Sequence, residues 1–99
     1  MHVEVDLTDI RSREDFHDKM QEGLDCPPQY GRNLDALYDV LTDYSTPFEV
    51  NFTNFADFAH ELPGYSQAFK DLCTEAMAEN AVLRIYFDGE LVEEELFLN

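Results

Sequence analysis

Positive charge is scarce in this chain: six Lys and Arg stand against 22 Asp and Glu, a formal net charge of −16 at pH 7 over 99 residues. A surface so acidic repels phosphate backbones instead of releasing counterions from them, which argues against nucleic acid as a direct ligand. Long apolar runs are missing too. No stretch reaches the roughly 18 consecutive apolar residues of a membrane helix, and the opening Met1-His2-Val3-Glu4-Val5-Asp6 has neither the basic nor the apolar region of a signal peptide. The expected setting is therefore the cytoplasm, away from membranes.

Cysteine is limited to Cys26 and Cys73, too few for a disulfide framework, and free thiols are expected. Cys73 falls on the apolar stripe of a predicted helix, while Cys26 lies in a loop, where exposure is open to it, with no basic neighbour to lower its pKa. The three histidines, His2, His17 and His60, are not at metal-ligand spacing, neither cysteine belongs to a C-x-x-C pair, and no glycine-rich phosphate loop is present. Neither a metal nor a cofactor is expected, and no catalytic set stands out.

Enough apolar residues are present to fold. Leu, Ile, Val and Phe total 27 of 99, above the roughly 20% below which chains stay disordered, and the length fits one domain. Val3, Val5 and Leu7 alternate with polar residues, as do Phe48, Val50 and Phe52, so both segments predict strands with one buried face. Val82–Phe87 is more continuously apolar and predicts a third strand, flanked on both sides.

Phe16, Met20 and Leu24 recur every four residues behind Ser12 and Asp15, predicting a helix from Arg13 to Gly23 that ends near the glycine. A structured loop, Asp25 to Arg32 with Pro27 and Pro28, leads to Asn33, placed to cap a helix over Leu34–Thr42. Asn54 is placed to cap a short helix through Phe55, Phe58 and Leu62. A longer helix carries Phe69, Leu72, Cys73 and Ala76 on one face and stops at Asn80. After the Asp88-Gly89 turn the chain either pairs back as a hairpin strand or forms an irregular arm, and its acidic run is Glu93 to Glu95. Strands separated by helical crossovers imply parallel pairing in a small α/β layer fold.

The chemistry is concentrated on the second helix. At about 100° per residue, Asp35, Tyr38, Asp39 and Thr42 share one sector beside the leucine stripe, and Tyr30 stands at its base. Carboxylates and tyrosines on a rigid helix suit recognition of a basic partner: the rings give contact area, the charges give register and fast encounter.

The run Pro28-Gln29-Tyr30-Gly31-Arg32-Asn33-Leu34-Asp35-Ala36-Leu37-Tyr38-Asp39-Val40-Leu41 resembles the signature of the barstar family, intracellular protein inhibitors of small bacterial ribonucleases. Ile10-Arg11-Ser12 and Thr74-Glu75-Ala76-Met77-Ala78-Glu79 fall where the family has similar segments. The resemblance covers residues 1–88 as one barstar-like domain and leaves 89–99 as an acidic and apolar extension. It implies a two-layer fold, a three-stranded parallel sheet packed with helices.

It also implies that the helix and its preceding loop plug a ribonuclease active site. The carboxylate matching Asp39 stands where substrate phosphate would bind, Asp35 and Glu75 meet basic residues at the rim, and Tyr30, Gly31, Asn33, Ala36, Tyr38, Thr42 and Tyr44 lie on or beside the contact. Gln29 stands where the family often has tyrosine, Tyr38 and Tyr44 where tryptophan is common, and Asp43 where glycine is frequent; these departures bear on which ribonuclease is bound. The expected partner is a small basic ribonuclease or a ribonuclease toxin domain, bound one to one by a chain that is monomeric when free. Two other readings are an acidic adaptor with a basic partner that is no nuclease, and an enzyme using Asp35, Asp39 and Glu75 as acid and base.

Overall fold

Period-two alternation and helical stripes become a sheet with four helices on it. The computed structural model describes residues 1–92, and the acidic run at Glu93 to Glu95 lies outside the described residues. In chain order the elements are β1 (His2–Asp6), α1 (Arg13–Gly23), α2 (Leu34–Thr42), β2 (Phe48–Thr53), α3 (Phe55–Glu61), α4 (Pro63–Glu79), β3 (Leu83–Phe87) and β4 (Glu90–Leu91). β1, β2 and β3 pair in parallel, with Val3 opposite Val50 and Val50 opposite Ile85.

The sheet order is β1-β2-β3-β4, so both parallel crossovers step in one direction. Right-handed crossovers then place every helix on the same face, giving two layers. Val5, Phe48, Val50, Phe52, Leu83 and Ile85 point into the helices and are buried, while His2, Glu4, Asp6 and Arg84 are exposed on the other face. The expectation that β3 is covered on both faces is corrected by the exposed Arg84: what flanks it on both sides is β2 and β4 within the sheet.

Among the described residues the sheet has four strands where three were expected. Asp88 and Gly89 turn the chain with positive φ at both (51° and 85°), and β4 pairs antiparallel with β3, Tyr86 opposite Leu91. The Val92 amide adds a bond to the Ile85 carbonyl at 2.8 Å. For residues 89–92 the hairpin is the realised alternative.

Local chemistry sets the helix ends. Ser12 Oγ accepts from the Asp15 amide at 3.0 Å, and Asp15 reaches back to the Arg11 amide at 3.0 Å, a capping box displaced by one residue. Gly23 lies inside α1, where a Cβ would stand 2.7 Å from Val5 Cγ2; it is needed for close approach of helix to strand. Asn54 precedes α3 at φ 60° but makes no side-chain cap. Asp88 does that work from the end of β3, its two oxygens accepting from the Asn54 and Phe55 amides at 2.7 and 3.3 Å. Cys26, open to exposure as a loop residue, is buried instead, with its thiol donating to the Met20 carbonyl at 3.4 Å. Cys73 is fully buried on α4, and both thiols are free.

Candidate partner-binding face

The second helix is held at both ends. At its start, Asn33 Oδ1 accepts from the Ala36 amide at 2.7 Å. At its end, the side-chain amide of Asn80 donates to the carbonyls of Leu41 and Tyr44 at 3.2 and 3.0 Å, satisfying one orphan acceptor of the last turn and one carbonyl just beyond it from the far end of α4. Leu37 and Leu41 are fully buried against the core, which turns Asp35 and Asp39 outward.

Of the residues singled out from sequence, Gln29, Gly31, Asn33, Asp35, Asp39, Asp43 and Glu75 are exposed, Ala36, Tyr38, Thr42 and Tyr44 are half-buried, and Tyr30 is buried. A Cβ on Gly31 would come within 3.3 Å of Ala36 Cβ, so the loop passes tightly over the first turn of α2. The Thr42 hydroxyl donates to the Tyr38 carbonyl at 2.8 Å.

Two open grooves flank α2. Between α2 and α4 the lining includes Asp35, Tyr38, Asp71, Leu72 and Glu75. Between α2 and the preceding loop it includes Asp25, Pro27, Asp39, Val40, Asp43 and Tyr44. The helix is thus a ridge with three carboxylates on each flank, a shape that enters a cleft.

No Lys or Arg lines either groove. Arg32, the one cation of the signature run, is turned away: its guanidinium binds Gln21 Oε1 at 2.6 Å, the Glu14 carbonyl at 3.2 Å and the Asp18 carboxylate, all on α1. Asp35, Asp39, Asp43 and Glu75 have no ion-pair partner among the described residues. Asp43 stands at the C-cap, the negative end of the helix dipole, where a cation would serve the helix better. A carboxylate there opposes helix stability and favours a positively charged partner.

The tyrosines sense this field. Partial desolvation first, then the carboxylates of Glu79, Glu75 and Asp39, push the Tyr38 hydroxyl above the usual tyrosine range. Tyr44 stacks on Phe48 with ring centroids 3.9 Å apart. Its hydroxyl oxygen is buried without a hydrogen-bond partner among the described residues, and burial, then Cys26 and Asp25, raise it to about 12.

Sequence reasoning passed over the residues that build this face from behind. His17 binds the buried Tyr30, Arg32 ties the loop to α1, and Asn80 closes α2. A signal for His17 was present: with Met20 and Leu24 it completes an i, i+3, i+7 stripe, which marks it as a core residue. Asp25, Asp71 and Glu79 join the acidic face only through tertiary packing.

The family model described as Barstar (barnase inhibitor) matches residues 1–88. The provisionally named ribonuclease inhibitor YrdF of Bacillus subtilis (strain 168) is 36% identical over 76 residues, which cover 76% of this chain and 84% of that protein.

Proposed function

The chain belongs to the barstar family, the barnase inhibitors, and we propose that it is a cytoplasmic immunity protein that inhibits a small ribonuclease, or the ribonuclease domain of a toxin, by seating α2 and its preceding loop in the enzyme's cationic cleft. The observation that carries this reading is the ridge of unpaired carboxylates on α2, with the nearest arginine drawn off to α1. A ribonuclease must present cations to hold RNA phosphates, and preplaced carboxylates stand in for those phosphates while the ridge excludes substrate. The mode of action is occupation of a site, with no bond made or broken by the inhibitor.

In this reading Asp39 is the central charge. Asp35, on the same wall as Tyr38, and Glu75, across the groove on α4, engage cations at the rim, and Asp43 adds a charge on the loop side. Gln29, Tyr30, Gly31, Asn33, Ala36, Thr42 and Tyr44 shape the remainder of the contact. With −16 on the chain, encounter is steered electrostatically and slows as salt rises. No described helix is long and apolar enough to cross a membrane.

Affinity capture from cells and secreted proteins of the source organism, with wild-type protein beside an Asp35→Ala, Asp39→Ala double variant as bait, tests the reading. A basic protein held by wild type, lost from the variant, and blocked by wild type in an RNA cleavage assay supports it. A partner without nuclease activity turns the assignment to an acidic adaptor.

A further inference from the structure

His17 lies on α1 beneath the loop that leads into α2, and both of its ring nitrogens are engaged. Nδ1 is 2.6 Å from the Tyr30 hydroxyl and Nε2 is 2.7 Å from the Tyr65 hydroxyl. The histidine is 1% exposed. Tyr30 belongs to the loop and Tyr65 to α4, so three elements meet at one imidazole. The far tyrosine is itself fixed: the Arg13 guanidinium lies 4.5 Å from its ring centroid, and Phe16 packs edge-on at 5.6 Å. From Tyr30 the chain needs three residues to reach Asn33, the cap of α2.

A neutral imidazole offers one N–H and one lone pair, so one tyrosine accepts from it and the other donates to it. Protonation makes both nitrogens donors. The tyrosine that donated must then turn its proton elsewhere, in a site that also faces Arg32 from the loop and Arg13 and Asp18 from α1. Burial first, then the Arg32 guanidinium, hold His17 down at about 4, with Asp18 opposing. An opened loop lets water reach the ring and restores the ordinary histidine value near 6.5. Acid therefore favours the open loop over the closed one.

Building on the inhibitor reading above, we propose that His17 and Tyr65 are positioning residues for the partner-binding face: they set the loop through Tyr30 without touching the partner, and acidification loosens the loop and weakens binding.

The test is amide hydrogen exchange on the free, full-length protein at pH 7 and pH 5, corrected for intrinsic rates, in wild type, His17→Gln and Tyr65→Phe. The Tyr30 and Ala36 amides report on the loop, being bonded to the Pro27 carbonyl and to Asn33 Oδ1; the Phe48 amide, bonded to the Val82 carbonyl in the sheet, is the reference. In wild type the loop amides should lose protection by about tenfold or more on acidification and still exchange faster than Phe48, which marks global unfolding, with His17→Gln abolishing the step. Tyr65→Phe should speed loop exchange several-fold at pH 7 and remains informative if His17→Gln does not fold. Equal loop protection at both pH values, or an unchanged step in His17→Gln, overturns the inference. The predicted loop response in a chain that inhibits no ribonuclease supports the positioning role and sinks the inhibitor reading.

Discussion

Asn80 and Tyr44 are joined across the fold: the side-chain amide of Asn80, at the C-cap of α4, donates to the Tyr44 carbonyl at 3.0 Å. The same nitrogen donates to the Leu41 carbonyl at 3.2 Å, and Asn80 Oδ1 accepts from the Val82 amide at 3.2 Å. One side chain thus fixes the end of the α2 ridge to the start of β3.

Asn80→Ala removes these bonds and leaves the carbonyls at the end of α2 short of a donor. A loss of about 1 to 3 kcal/mol is expected. Denaturant unfolding should show a lower midpoint with an unchanged slope, as for a lost contact without a change in the surface exposed on unfolding.

Two glycines in helices should respond in opposite directions. Gly23→Ala places a methyl 2.7 Å from Val5 Cγ2, so overpacking outweighs the helix propensity of alanine and the variant should be destabilised by roughly 1 to 3 kcal/mol. A Cβ on Gly64, in the first turn of α4, meets nothing within 4 Å, and Gly64→Ala should stabilise by a few tenths to about 1 kcal/mol. Thermal unfolding of the pair checks both signs.

Stability should fall as pH drops from 7 to 5. His17 is held at about 4 when folded and returns to about 6.5 when unfolded, so in this window the unfolded chain binds more protons. The contribution is fully present above the unfolded value and is lost as pH falls toward the folded one, about 2 kcal/mol by pH 5. Urea unfolding at the two pH values should show this difference in wild type and much less of it in His17→Gln.

Much of this architecture is legible locally. Alternation at Val3, Val5 and Leu7 and at Phe48, Val50 and Phe52 reads as strand because every second residue faces the helices. Ser12 and Asn33 read as caps because each bonds an amide three residues ahead. What the sequence concealed is long-range. Asp88 takes the cap expected of Asn54 across 34 residues, and Arg32 leaves the acidic face because its partners lie on α1. Of the candidate face, the carboxylates of α2 were visible from helical spacing, and membership of residues 1–88 in the family is now shown. The supports behind the face, His17, Tyr65 and Asn80, depend on which elements pack together, and no spacing rule reports that.

The most direct test of the central claim is the inhibition constant of Asp39→Ala against the captured ribonuclease, beside Glu4→Ala on the opposite face of the sheet. If Asp39 is buried among the enzyme's cations, its truncation leaves those charges unpaired, a cost of about 3 to 5 kcal/mol that corresponds to a loss of at least about a hundredfold. Glu4→Ala should change inhibition by less than about threefold. Equal, small effects from the two variants would contradict the plug and reduce the role of α2 to general acidity.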